Sequence, residues 1–537
     1  MDYTDAGERR RPERMNPKYL AWSLCLTVLA WSPGRALAVS PRPNVVVVFI
    51  DTLRADRVHC YGYPRETTPS LDSLAREGTR FDVALAQAPW SLPSYSTIFS
   101  SLYPPSHGVV RTTQALNSSV QTLAEIMRSF GYHTAAMVSG GHLAPEFRLT
   151  RGFDTYQATR HLGSLYHTVP QALDWIDRQK DAPFFLVLHG YDCHGPYNPP
   201  FGFGELYDSG YRGVVDSPGF LRVEILENIQ NLTYDACALQ AFETTSLQPA
   251  GLQRRRRLLL PPLAPELADL PGMNLPVPLV ELPAGGAPSV AALANTSRLP
   301  FKPLERRQRL SQEDVAHIGA HYDGGVTYAD TWLGLFVQSL ARKGLLDQTV
   351  LVVCGDHGEE LGERGRFGHG GSLYDTFVRV PFVWRGPGIA GGRAISDAVG
   401  LIDLAPTLLE LCGIPPAHQH QGRSLRRYLR PETPPPAPDP EQAAFSFENY
   451  LVGIRTSRWH MVGYQDQDSG TLSKYELFDV RKDPAECLNL SLVYPEVVRD
   501  LSGRLQELAE TLVNRSAPGA AGLNRTQRLF LNTLGYW

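Results

Sequence analysis

Apolar runs that break off abruptly at polar residues punctuate this chain. Asn44-Val-Val-Val-Val-Phe-Ile50 is an unbroken, largely β-branched run ending at Asp51, the pattern of a strand buried on both faces of a parallel sheet. Shorter runs of the same kind, Phe184-Phe-Leu-Val-Leu188 and Thr349-Val-Leu-Val-Val-Cys354, give way to His189 through His194 and to Asp356-His357. Helical spacing fills the intervals, over 120–130, 169–178, 328–343 and 401–412. This alternation predicts an α/β fold built on a doubly wound, mixed but mostly parallel sheet. In such sheets ligands bind beyond the carboxyl ends of the strands, where the polar residues stand.

The pattern fails over 203–311, where Arg254-Arg-Arg-Arg257 precedes a proline-dense stretch without periodicity. That stretch reads as a surface insertion within a catalytic domain covering 39–430. Pro431-Glu-Thr-Pro-Pro-Pro-Ala-Pro-Asp-Pro440 reads as a linker. Beyond it, alternating strands over 444–456 and 458–478 and an amphipathic helix over 497–513 predict a smaller α+β subdomain across 441–537.

One more apolar stretch, Tyr19 to Trp31, follows Arg9, Arg10, Arg11, Arg14 and Lys18 and precedes Ala36-Leu37-Ala38. A basic region, a short apolar core and a small-residue cleavage site make residues 1–38 a secretory signal peptide. The expected location is therefore secreted or exported: periplasmic, extracellular or in a secretory lumen. No integral membrane domain is expected once the signal is removed. With 51 Lys and Arg against 55 Asp and Glu, and a formal charge of -4, the chain lacks the basic surface that a nucleic-acid partner requires. Seven Cys occur without a Cys-x-x-Cys pair, so neither a zinc ribbon nor a disulfide framework is indicated. Asparagines 117, 231, 295, 489, 514 and 524 lie in sequons, which makes a glycoprotein possible in a glycosylating host.

Three clusters of hard ligands and imidazoles stand at the predicted strand ends: Asp51; Asp192 with His189 and His194; and Asp356-His357 with Glu359 and Glu360. Carboxylate oxygens beside imidazole nitrogens suit a divalent cation, with calcium preferred by the oxygens and manganese or zinc by the imidazoles. Ser91, within Trp90-Ser-Leu-Pro-Ser-Tyr95, precedes a helix expected to begin near Pro93. A hydroxyl there can bind or attack a tetrahedral oxyanion ester, or it can simply cap the helix.

Together these segments resemble the type I sulfatase family of the alkaline-phosphatase superfamily. The matching stretches include Pro43 through Asp56, Thr68-Pro-Ser-Leu-Asp72, Pro93-Ser94, Gly131-Tyr132, Arg151-Gly-Phe-Asp154, Asp192-Cys-His-Gly-Pro196, Gly355-Asp-His-Gly-Glu359, Gly368-His369, Arg379-Val-Pro381 and Tyr475-Glu-Leu-Phe-Asp479. The resemblance implies that Asp51, Thr52, Ser91, Asp356 and His357 hold one divalent metal. It implies that Ser91 is the nucleophile, converted to formylglycine, and that His142, His194 and His369 serve the reaction. The substrate would be a sulfated small molecule or glycan, cleaved to an alcohol and sulfate. Departures from the family pattern are Tyr95 in place of an Arg, Ser139-Gly140-Gly141-His142 in place of Gly-Lys-x-His, and His369 near the place of a Lys. They leave two alternatives open. One is a phosphomonoester or phosphodiester hydrolase with unmodified Ser91 and a second metal on Asp192, His194 and His369. The other is a silent, sulfatase-like binding protein.

Overall fold

The run at 44–50 is the central strand, β1 (Asn44–Ile50), of a nine-stranded sheet. Val45, Val47 and Phe49 enter the core on one face while Val46, Val48 and Ile50 enter it on the other, so a strand without polar alternation is what this position demands. The computed structural model describes residues 42–158, 163–179, 182–200, 202–208, 210–213, 215, 311–364, 366–466, 472–512 and 519–520. The expected signal segment 1–38 and residues 216–310 of the expected insertion lie outside them.

The other strands of this sheet are β2 (Thr79–Leu85), β3 (His133–Val138), β4 (Thr155–Ala158), β5 (Phe184–Gly190), β6 (Thr349–Cys354), β7 (Arg379–Val380), β8 (Phe382–Arg385) and β9 (Arg393–Gly400). Their order is β7-β2-β8-β6-β1-β5-β3-β4, with β9 also on β2. β6, β1, β5, β3 and β4 are mutually parallel, and β8 runs antiparallel between β6 and β2. The result is the mixed, mostly parallel sheet that the sequence predicts.

Helices α1 (Pro69–Glu77), α4 (Leu165–Ile176) and α5 (Gln312–Arg342) cover one face. Helices α2 (Ser91–Ser100), α3 (Leu123–Ser129) and α6 (Leu404–Leu411) cover the other. α5 begins well before the expected 328. Ser311 and Asp314 form a capping box at its start, and its first half carries His317, His321 and Asp323 where an amphipathic pattern would place apolar residues. Gly325 lies in that half, and a Cβ there would stand 2.4 Å from the Asp192 carbonyl oxygen. The helix can therefore approach the loop after β5 only without a side chain. Phe203, Tyr211 and Val215, inside the stretch expected to be an insertion, are buried in the same core.

Residues 431–440 are exposed throughout and lack regular structure. A second sheet follows, with β10 (Ala444–Glu448), β11 (Leu451–Arg455), β12 (Trp459–Gln465) and β13 (Leu472–Asp479) in an antiparallel meander. Helix α7 (Pro495–Thr511) packs Leu501 and Leu505 onto Ile454, Met461 and Leu477. Ala444 and Val462 join Val83, Leu85 and Phe377 in a cluster that connects the two sheets. Among the described residues no helix is long and apolar enough to cross a membrane, and Cys60, Cys193, Cys354, Cys412 and Cys487 are free thiols.

Candidate active site

Six residues expected at the site follow the carboxyl ends of strands that run in one direction: Asp51 after β1, Ser91 after β2, His142 after β3, His194 after β5, and Asp356 with His357 after β6. At the end of β1, Thr52 adopts φ +57°, a conformation strained for a β-branched residue. Three bonds hold it there. Its amide donates to Asp356 Oδ1 at 3.1 Å, its hydroxyl donates to the Asp51 carbonyl at 2.7 Å, and Tyr322 Oη of α5 donates to the Thr52 carbonyl at 2.7 Å. The strained turn thus brings the Asp51 and Asp356 carboxylates together while committing the Thr52 hydroxyl to the backbone.

Ser91 opens α2 as its first residue, two positions earlier than expected. Trp90 takes the cap position, so the Ser91 hydroxyl does not cap the helix. Instead Ser91 Oγ lies 3.2 Å from His357 Nε2 and 3.5 Å from Asp51 Oδ2. Ser94, one turn on, donates to the Asp356 carbonyl at 2.6 Å. His189 Nε2 sits 3.1 Å from Asp51 Oδ2. Its role could not be read from sequence, because it closes an apolar strand where a core histidine is equally at home.

A tier of imidazoles surrounds this group. The rings of His357 and His369 are 4.6 Å apart and those of His369 and His194 5.0 Å, both measured between centroids. His369 Nδ1 lies 3.3 Å from each Glu359 carboxyl oxygen, and His194 Nδ1 donates to the Gly195 carbonyl at 2.6 Å. His142 meets the Trp90 ring edge-on at 5.3 Å. Burial holds His369 and His189 down to about 4. Burial, and then the neighbouring His369, does the same to His194. His142 falls well below the usual imidazole range through burial first, then His369, His357 and His194. Burial pushes Glu359 up to about 7, against the pull of His194 and His357. The imidazoles of His142, His189, His194 and His369 are therefore neutral.

Carboxylates beside an imidazole fit a divalent cation. The ligand atoms of Asp51, Asp356 and His357 all lie within 4.8 Å of one another. Asp51 Oδ1 and Asp356 Oδ2 are buried and accept no hydrogen bond from any described residue. Burial and then the Asp356 charge drive the Asp51 carboxyl well above its ordinary range, with His357 opposing. A cation between these two facing carboxylates would offset their repulsion.

Asp375, His460 and Glu486 also come together, but their charges are already met. Arg455 donates to both Asp375 oxygens at 3.1 Å, and His460 Nδ1 bonds Glu486. Burial would raise Asp375, yet Arg455 and His460 hold it at about 2. Asp192 Oδ2 accepts the Leu165 amide at 3.0 Å at the start of α4, and among the described residues Asp192 does not gather with His194 and His369 into a three-ligand group. The missing cations are built out of this chain: Gly140 adopts φ +73°, ψ −138°, a conformation hardly open to a residue with a Cβ. Tyr95 is fully buried, edge-on to Phe49 and His189 and stacked on Phe99.

Comparison with known proteins agrees with the resemblance. The chain matches the sulfatase family over residues 43–414 and the C-terminal family of N-sulphoglucosamine sulphohydrolase over 362–511. It is 30% identical to arylsulfatase K of Homo sapiens over 527 residues, 90% of this chain and 86% of that one. It is 23% identical to N-acetylglucosamine-6-O-sulfatase of Bacteroides thetaiotaomicron over 543 residues, 92% of this chain and 91% of that one. A solved protein in complex with its substrate D-glucosamine-2-N,6-O-disulfate superposes with TM-score 0.63 at 20% identity, covering 88% of this chain and 98% of that one. The phosphonate monoester hydrolase of Agrobacterium radiobacter superposes with TM-score 0.60 at 20% identity, covering 88% and 96%.

Proposed function

The chain belongs to the sulfatase family, and we propose that it is an exported, cation-dependent hydrolase that cleaves sulfate esters to an alcohol and sulfate at Ser91. The observation that carries this reading is the Ser91 hydroxyl, 3.2 Å from His357 Nε2 and 3.5 Å from Asp51 Oδ2, beside the two unbonded carboxyl oxygens of Asp51 and Asp356. A divalent cation on Asp51, Asp356 and His357, calcium by preference with manganese or zinc as alternatives, would supply positive charge against the ester oxygens and favour ionisation of the nucleophile.

The remaining tasks fall to the chain itself. Ser91 presents the attacking oxygen, as the hydrated aldehyde where the residue is converted to formylglycine. His189 fixes the Asp51 oxygen that faces Ser91. His369 offers its Nε2–H to the sulfuryl oxygens while Glu359 holds the proton that faces its Nδ1, and His194, whose N–H goes to the Gly195 carbonyl, lines the site beside it. The Glu359–His369 pair holds an exchangeable proton for the departing alcohol, since burial sets Glu359 near neutrality. His142 and Trp90 together wall the nucleophile's side of the site. The names of the relatives support a sulfated small molecule or glycan as substrate, and the basic and apolar leader at 1–38 supports export.

The deciding experiment pairs mass spectrometry of the peptide containing residue 91, from protein made in its native host, with sulfate release by wild type and Ser91→Ala. Loss of two hydrogens at Ser91, with sulfate release absent from the variant, is the expected result. An intact serine with Ser91-dependent phosphodiester turnover would replace this reading by a phosphoesterase one. Absence of turnover on either ester class would make the chain a binding protein.

A further inference from the structure

The first strand of the second sheet runs beside the segment that leads to the nucleophile. The Phe447 amide donates to the Gln87 carbonyl at 2.9 Å, and Gln87 Nε2 donates back to the Phe445 carbonyl at 3.2 Å. The strand ends at Glu448, whose carboxylate divides its two oxygens between two loops. Oε2 accepts the Trp90 indole N–H at 3.0 Å and Oε1 accepts the Gly371 amide at 3.2 Å. Trp90 directly precedes Ser91 and lies edge-on to His142, while Gly371 lies two residues beyond His369. A single side chain from the second sheet therefore joins the loops that carry Ser91 and His369, and braces the ring that meets His142.

We propose that Glu448 is a positioning residue for the reaction, holding Ser91, His142 and His369 in register with one another; the inference rests on the sulfate-ester reading of the site. Glu448 is too far along the chain from either loop for local sequence to announce it. Its chemistry is specific. The Trp90 and Gly371 groups, and the adjacent Asn449 Nδ2 that reaches Oε1 at 3.1 Å, are all donors, so the position needs two acceptor oxygens on one rigid group, which a carboxylate has and a carboxamide lacks. The register it sets matters because small displacements of reacting groups reduce the rate strongly while leaving ground-state binding largely intact.

The test is a double-mutant cycle on the full chain with Glu448→Gln and Trp90→Phe, the second keeping a ring against His142 while removing the donor. Each variant's kcat and KM for a sulfate ester are read beside its thermal midpoint. Each single variant is expected to lose about ten- to a hundredfold in kcat with KM and midpoint close to wild type, and the double variant to lose no more than the worse single. A wild-type kcat in Glu448→Gln, losses that multiply in the double variant, or a fall in rate matched by a fall in midpoint would each overturn the proposal. If the wild type releases sulfate while the cycle fails, only the positioning role falls. A wild type that releases none removes the functional reading, and this proposal with it.

Discussion

Tyr95 shows how one residue can remake a site that keeps its fold. It stands where the family pattern has a cation, yet here Phe49, Phe99 and His189 enclose it at centroid distances of 5.3, 6.2 and 5.6 Å. Its hydroxyl is buried and makes no hydrogen bond with any described residue. Burial, and then the Asp356 and Asp51 charges, push its ionisation well above the ordinary phenol range, so it stays a neutral hydroxyl. Removing an unpaired buried polar group while keeping the ring favours the folded state. Tyr95→Phe is therefore expected to raise the unfolding free energy by about 1 kcal/mol. Tyr95→Arg places a charge among three rings and is expected to lower it by about 3 kcal/mol or more. Urea denaturation of both variants checks the pair, and an Arg variant as stable as wild type would show that the aromatic nest can open for a cation. The position that the family pattern fills with Arg is here given to packing.

At the scale of elements, the strands were legible and the duties of their end residues only partly so. Asp192 is the clearest case. A carboxylate beside His194 at a strand end looks like a ligand, and only the fold reveals that it meets the start of α4 at Leu165. Burial pushes it up to about 7 against the pull of that amide. The folded state therefore keeps, between about pH 4 and 7, a proton that the unfolded chain has released. The stability tied to that proton is complete below the unfolded value and is lost as pH rises through the folded one. Asp192→Asn is neutral at every pH, so its stability relative to wild type is expected to grow by up to about 4 kcal/mol between about pH 4 and pH 8. Urea unfolding across that range would show it, and a flat difference would mean that the carboxylate is not held in its protonated form. The elements easiest to read were those whose local pattern and tertiary place agree: β1 and β6 match their expected bounds because strands buried on both faces must be apolar throughout. α5 was half missed because glycines and histidines stand on a buried helix where an amphipathic pattern would put leucines. The candidate metal cluster was legible because Asp51, Asp356 and His357 each follow a strand. His189 and Glu359 were legible as members of the strand-end clusters but not in their pairings with Asp51 and His369, whereas Glu448 acts through Trp90, 358 positions away, where no spacing rule reaches.

At the scale of the whole molecule, the candidate cation site is a point where segments 266 to 304 positions apart are pinned together. Thr52 bonds Asp356 across a separation of 304, and Ser91 reaches His357 across 266. Asp51 and Asp356 repel each other in a buried space, and the Asp51 carboxyl is accordingly driven well above its usual range by burial and that charge. Without a cation the repulsion sits where the adjacent parallel strands β1 and β6 end side by side. A cation that binds only the folded chain adds about 2.7 kcal/mol at a hundredfold excess over its Kd. Calcium added to chelator-treated protein is expected to raise the thermal midpoint in a concentration-dependent way, with manganese and zinc run beside it to rank the three. Asp51→Asn removes one of the facing charges, so the cation-free variant should unfold no earlier than cation-free wild type and should gain little from any of the three ions. This pairing separates a ligand from a merely structural carboxylate. A structural Asp51 would leave the variant less stable than wild type and equally responsive to the ion, whereas a ligand would leave it stable and unresponsive.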